Sequence, residues 1–208
     1  AYHTRAVWPM LVANRHLGQP EITEKARLAL GFYAQKIRPD GRVKDWSFAP
    51  GAPAFTHTIA YTLRGFLECF LLLSDENRGE EPVPGLSFST LLQMANPWLE
   101  RWHEKKGFAG RYAEDGTGDF SFVCPTGNAQ LSLFFSRLFQ VTKDPKWHEA
   151  AGEIFTQTTH YQCLMPFKNR YGALPGSVPF WGPYMRFKYP NWATKFFLDA
   201  WLALRETP

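Results

Sequence analysis

The sequence predicts an all-α chain, an incomplete α/α toroid with about four inner and three outer helices. Three observations predict it. Apolar and amphipathic helical patterns alternate along the 208 residues. A glycine-led, ring-rich loop precedes each later apolar helix. The glycines that open these loops recur after 69 residues (Gly41 to Gly110) and then 62 (Gly110 to Gly172). Such an alternation places apolar helices around an axis and amphipathic ones outside them as a shield from water. The long Gly/Pro/aromatic loops separate this architecture from an ordinary helical solenoid, whose turns are short. A closed toroid of six hairpins needs more chain than this. Residues 1–208 therefore read as a single toroid domain, a fragment of a longer chain or one completed by a further domain or second chain.

The elements follow in order. An apolar helix over about 3–16 opens on His3-Thr4, which matches His57-Thr58 and makes it a copy of the later inner helices. An amphipathic helix over about 21–37 starts at Pro20-Glu21, with Pro at the first turn. The loop from Gly41 through Trp46 and Phe48 leads to the helix at about 57–73. There Ile59, Ala60, Leu63, Phe66, Leu67, Phe70 and Leu71 make it apolar nearly all round. Ser87 or Ser89 can cap an outer helix over about 88–105. Gly110, Tyr112, Phe120 and Phe122 lead to an inner helix at about 128–142, and Asp144-Pro145 opens its outer partner at about 145–162. Gly172, Phe180 and Trp181 lead to the last inner helix, about 191–205.

Composition narrows the function classes. Phe 18, Tyr 8 and Trp 8 make 16% of the chain aromatic against 20% charged, which excludes a disordered chain. The net charge of +4 is small and the basic residues are scattered, so no nucleic-acid partner is expected. The longest apolar run, near Phe66–Leu73, contains Glu68 and is too short to span a membrane. Cys69, Cys124 and Cys163 have neither disulfide nor zinc spacing, which favours a reducing, cytoplasmic compartment and no metal site. Phosphate-loop and dinucleotide motifs are absent, so no cofactor is expected. The chain opens at Ala1 directly inside a helical pattern, without the basic and apolar regions of a signal peptide.

Candidate chemistry gathers at the inner-helix starts. Equivalent positions there are His3, His57, Asn128 and Asn191. In a toroid they share one mouth, with helix N-termini suited to anions; the alternative is that they cap their helices. His57, Tyr61 and Arg64 stand at i, i+4 and i+7 on one helix face, a spacing that suits a base, an acid and an anion clamp. Glu68 extends that face and offers Arg64 a partner instead. His3 and Arg5 add to the mouth. The rings Trp46, Tyr112, Trp181, Tyr184 and Trp192, with Asn128, Asn191 and Lys195, suit a sugar whose C–H face stacks while its hydroxyls hydrogen-bond. An aromatic plug for irregular loops is the alternative, and Lys195 can pair with Asp199. Glu114, Asp115 and Asp119 offer the paired carboxylates of glycoside hydrolysis, or form an ordinary acidic turn.

Three stretches carry a resemblance: Thr56–Gly65, Gly127–Gln130 and Gly172–Phe197. They resemble α/α-toroid superfamilies that include six-hairpin glycosidases, unsaturated glucuronyl hydrolases, alginate-type polysaccharide lyases and N-acylglucosamine epimerases. They also resemble proteins of bacterial polysaccharide gene clusters. Prenyltransferases and lanthionine cyclases share the toroid, but their zinc ligand sets are not evident here. The resemblance implies an oligo- or polysaccharide partner, acidic or N-acylated, and a lyase- or epimerase-like mechanism. Two alternatives stand beside it: a glycoside hydrolase using Asp115 or Asp119, and a non-catalytic glycan-binding arc.

Overall fold

The structure is a computed structural model that describes residues 1–77, 82–166 and 169–206. Its helices are α1 (Thr4–Leu17), α2 (Pro20–Ala34), α3 (Thr56–Asn77), α4 (Phe88–Lys105), α5 (Pro125–Thr142), α6 (Pro145–Thr159) and α7 (Asn191–Arg205). Each answers one helix expected from the periodicity. No described helix is long and apolar enough to cross a membrane. Three two-residue strands, β1 (Ala54–Phe55), β2 (Arg111–Tyr112) and β3 (Gly118–Asp119), form an antiparallel sheet in the order β1-β2-β3. Helical periodicity carries no signal for so short a sheet, and it was not foreseen.

The chain divides into two compact units, each discontinuous in sequence. The first comprises Ala1–Ala52 and Tyr61–Glu100. Its core holds Val7, Leu11, Leu30, Leu63, Phe66, Leu67, Met94 and Trp98, all buried. Gly18 closes α1 in the left-handed region at φ 64°, where a glycine has no Cβ to strain. Buried Asn14 then shapes the turn into α2: its Nδ2 donates to the Gln19 carbonyl (2.8 Å) and Thr23 Oγ1 (2.9 Å), and its Oδ1 accepts the Gln19 N–H (3.0 Å). The start of α1 lies directly on α3. Thr4 Oγ1 donates to the Thr62 carbonyl (3.2 Å), and a Cβ added at Gly65 would stand 2.4 Å from Thr4 Oγ1.

The second unit comprises Pro53–Ala60 and Arg101–Pro208. Helix α5 is its centre, buried on every side from Pro125 through Ser136. That is the environment an inner helix requires. Helix α6 buries a stripe of Trp147, Ala150, Ala151, Ile154 and Thr158, at the spacing of a helix with one wet face. Small residues let α5 and α6 approach closely, and Ser132 Oγ donates to the Ala151 carbonyl (2.8 Å). Helix α7 stacks Phe197 on Phe155 of α6, with centroids 4.7 Å apart. The sheet joins the loop after α4 to the start of α3: Thr56 N–H donates to the Gly110 carbonyl at 3.1 Å.

Candidate functional site

Three of the four inner-helix starts, His3, Asn128 and Asn191, make no capping bond to their helices. His3 occupies the N-cap position of α1 but makes no side-chain capping bond. Asn128 lies inside the first turn of α5, because Pro125 starts that helix and Cys124 precedes it. Asn191 is the first residue of α7, preceded by Pro190. Capping thus explains none of these three.

In the first unit two candidate residues, Arg5 and Arg64, meet at Trp8. The Arg5 guanidinium lies 4.2 Å from the Trp8 ring centroid and that of Arg64 lies 4.9 Å from it. Two cations at one indole repel each other, and Glu68 offsets part of that charge: its Oε1 lies 3.3 Å from Arg64 Nε. Glu68 is itself buried, so this is a packed ionic cluster rather than a solvated surface pair. His3 is exposed and stacks on Tyr2, whose ring meets Phe48 edge-on. Tyr61 is half-buried on α3. Trp46 is buried and packs edge-on against Trp98, which gives it a core role in this unit. Trp8 was not singled out by sequence; its spacing from Arg5 (i, i+3 on one helix) is visible there, but Arg64 reaches it only through the fold.

In the second unit His57 is 3% exposed and enclosed by rings. Its imidazole lies 4.4 Å from the Tyr184 ring and 5.9 Å from Phe55, and its Nδ1 is 3.9 Å from Cys124 Sγ. Burial lowers its pKa to about 3, because a charged imidazole loses its hydration there. His57 is therefore neutral at pH 7. Burial also pushes the Cys124 thiol up to about 12, so it behaves as a small apolar group. Tyr184 is buried, and its hydroxyl accepts the Trp192 indole N–H at 2.9 Å. This links the His57 cluster to half-exposed Trp192 on α7. Phe55, two residues before His57 in a ring-rich loop, is the member of this cluster that sequence did not single out.

The other expected residues divide between buried and open. Tyr112 is buried, its hydroxyl accepts the Ala109 N–H at 3.0 Å, and burial raises its pKa to about 12. Asn128 is wholly buried; its Nδ2 donates to Gln157 Oε1 at 3.3 Å. Trp181 stands 62% exposed on its loop, and Asn191 is exposed as well. Lys195 pairs with Asp199 one turn on and lies 4.5 Å from the Phe196 ring. Asp115 caps its own turn by accepting the Thr117 N–H (2.8 Å). Asp119 accepts from Ser121 Oγ (2.6 Å) and Arg111 Nε (3.0 Å). The Ser121 hydroxyl, foremost, holds the Asp119 carboxyl below its ordinary range. A general acid needs the opposite shift.

With this geometry in hand, solved structures of similar fold are informative. Cellobiose 2-epimerase from Spirochaeta thermophila DSM 6192 superposes with a TM-score of 0.71 and 13% identity, covering 98% of this chain and 52% of that one. Cellobiose 2-epimerase from Bacillus thermoamylovorans B4167 gives a TM-score of 0.67, again with 13% identity and the same coverage. The chain thus has the α/α-toroid fold and spans about half the length of these two structures. Neither a family model nor a curated protein matches the sequence.

Proposed function

We propose that this chain is part of a carbohydrate-active protein that works on a saccharide by proton transfer, in an epimerase-like or lyase-like way. The observation that carries the proposal is the superposition of 98% of the chain on a sugar epimerase. The roles follow from the chemistry of the residues on α3. One group of the His57/Tyr61 pair takes the proton from a carbon α to a carbonyl or carboxylate, and the electron pair of that C–H bond becomes an enolate. Arg64, on the same helix, bears the charge required to hold such an anion. The other group of the pair is the acid. A proton returned to the opposite face of the same carbon gives epimerisation, and loss of a leaving group from the β carbon gives elimination. Trp181, on an open loop, supplies a stacking face for a sugar ring.

Deuterium exchange tests this directly. The chain is incubated in D2O with cellobiose, N-acetylglucosamine or a polyuronate, and the α C–H signal is followed by NMR. Solvent deuterium is expected at that carbon of at least one substrate, with Tyr61→Phe slowing the exchange by roughly 100-fold. Trp181→Ala is expected to weaken saccharide binding by roughly tenfold, the equivalent of about 1.4 kcal/mol. Cleavage without exchange would replace the proposal with a hydrolase. Binding without exchange or cleavage would leave a glycan-binding arc, which the exposure of Trp181 favours as the second reading.

A further inference from the structure

On the second unit the last turn of α4 and one face of α6 border an open cleft of about 490 Å³, lined by Trp102, Lys106, Glu153, Gln157 and His160. Beyond Gln157 a second cleft of about 380 Å³ continues between Phe108, Phe120 and Tyr161. Gln157 lines both, so the two are compartments with one shared wall. Each falls in the range of small-molecule sites, roughly 300–1,000 Å³.

The polar groups of the first compartment are held in place. Glu153 and Gln157 stand at i and i+4 on α6, and His160 caps its C-terminal end at i+7. Glu153 Oε2 accepts from Trp102 Nε1 (2.6 Å) and Lys106 Nζ (3.0 Å). Lys106, foremost, keeps that carboxyl below its usual range and hence ionised. Both donors end on Oε2, and Oε1 accepts no hydrogen bond among the described residues. Gln157 Nε2 donates to the Lys106 carbonyl at 2.8 Å. Lys106 itself sits at φ 49°, a left-handed conformation that costs a residue with a side chain free energy. The Glu153 and Gln157 contacts hold it there.

Two further observations describe the walls of this cleft. Behind Gln157, Asn128 is wholly buried, and its Oδ1 has no hydrogen-bond partner among the described residues. A buried acceptor left unmet costs about 1–3 kcal/mol, while Asn128 Nδ2 donates to Gln157 Oε1 and so fixes the amide at the cleft wall. Across the second compartment Phe120 is 57% exposed, a ring face left open beside polar groups. In the first compartment the Lys106–Glu153 pair neutralises itself, so a phosphate or uronate gains no net opposite charge there; of the described charged residues, Lys105 alone lines the second compartment.

We propose that the two compartments form one cleft for a neutral pyranose oligosaccharide. A C–H face of one ring stacks on Phe120, and hydroxyls of the next donate to Glu153 Oε1 and bond to the Gln157 amide. This rests on the carbohydrate reading above and adds a second binding region to it. None of these residues belongs to the Trp8 or His57 cluster.

The test is an NMR titration of the isotope-labelled full chain with cellotetraose, paired with calorimetry of variants. Shifts are expected at the Gln157 side-chain amide, Gly107 and Phe120, and both Phe120→Ala and Gln157→Leu should weaken binding at least tenfold. If Gln157→Leu loses signal dispersion, Phe120→Ala decides alone, since its ring lies on the surface. Shifts confined to Trp181 and Trp192, with both variants binding as native, would overturn the cleft and leave the proposed function standing. Shifts at Gln157 and Phe120 with sodium phosphate but not with cellotetraose would also overturn it, in favour of an anion site. No cellotetraose shift anywhere would overturn it too, and the proposed function would then be decided by deuterium exchange.

Discussion

Acidification from pH 7 to pH 4 is expected to remove on the order of 3 kcal/mol of stability through His57 alone, rising to roughly 5 kcal/mol below pH 3. In the folded chain the imidazole has a pKa of about 3, because burial strips the charged form of water. In the unfolded chain it returns to its ordinary value of 6.5. Between those values the unfolded state holds a proton that the folded state does not. Stability is therefore full above pH 6.5 and falls as the pH drops toward 3. The groups around the ring are Phe55, Tyr184 and a Cys124 thiol that burial keeps protonated. Denaturant titrations at pH 7, 5.5 and 4 on the native chain and on His57→Phe and His57→Gln check it. The variants should lose this slope while keeping whatever slope the exposed carboxylates contribute. Parallel slopes in native and variant proteins would show that His57 is accessible to protons in the folded state.

Gly65→Ala should destabilise the first unit by about 3 kcal/mol. Within a helix interior this exchange ordinarily gains up to about 1 kcal/mol, so the sign is the test. A Cβ at Gly65 would lie 2.4 Å from Thr4 Oγ1, 2.5 Å from the Thr4 carbonyl carbon and 2.6 Å from the Arg5 amide nitrogen. Two of these are backbone atoms and cannot rotate away, so α1 must move off α3. Gly152→Ala on α6 is the matched control: a Cβ there meets nothing within 4 Å, and a small gain is expected. Equal melting temperatures for native and Gly65→Ala would mean that α1 rests on α3 more loosely than these distances state. The same displacement would shift Arg5, and with it the cation arrangement around Trp8.

These two sites also show what kind of information each level of description holds. Gly65 is an unremarkable helix residue in the sequence, flanked by Arg64 and Phe66. Only the approach of a second helix gives its missing Cβ a purpose. His57 is the reverse case. Its place at the head of an apolar helix was visible, yet the effect of that place on its proton was not, because Tyr184 and Cys124 come from segments 127 and 67 residues away. The rings of the loops behave likewise. Phe122 and Tyr184 are buried while Phe120 and Trp181, in the same loops, are open. Sequence composition cannot separate them, since burial depends on which loop lies across which.

What the sequence determined by itself is the succession of helices. Each reflects a local period and a local start signal, such as Pro20, Asp144-Pro145 or the apolar run from Ile59. Those depend on neighbours within one or two turns, so α1 to α7 were legible with boundaries displaced by a few residues. The repeat of ring-rich loops before apolar helices made the toroid legible as well. The tertiary structure decided the rest. It turned Asn128 from a possible cap into a buried side chain bonded to Gln157, set two guanidiniums at Trp8, and drew Glu153 to Trp102 and Lys106 across 51 and 47 residues of chain. It also paired two-residue strands too short to show any period. The physical reason is common to all of these. A helix is held by bonds four residues apart, whereas a site is made by the packing of distant surfaces, and its charge, burial and unmet hydrogen bonds exist only once that packing is complete.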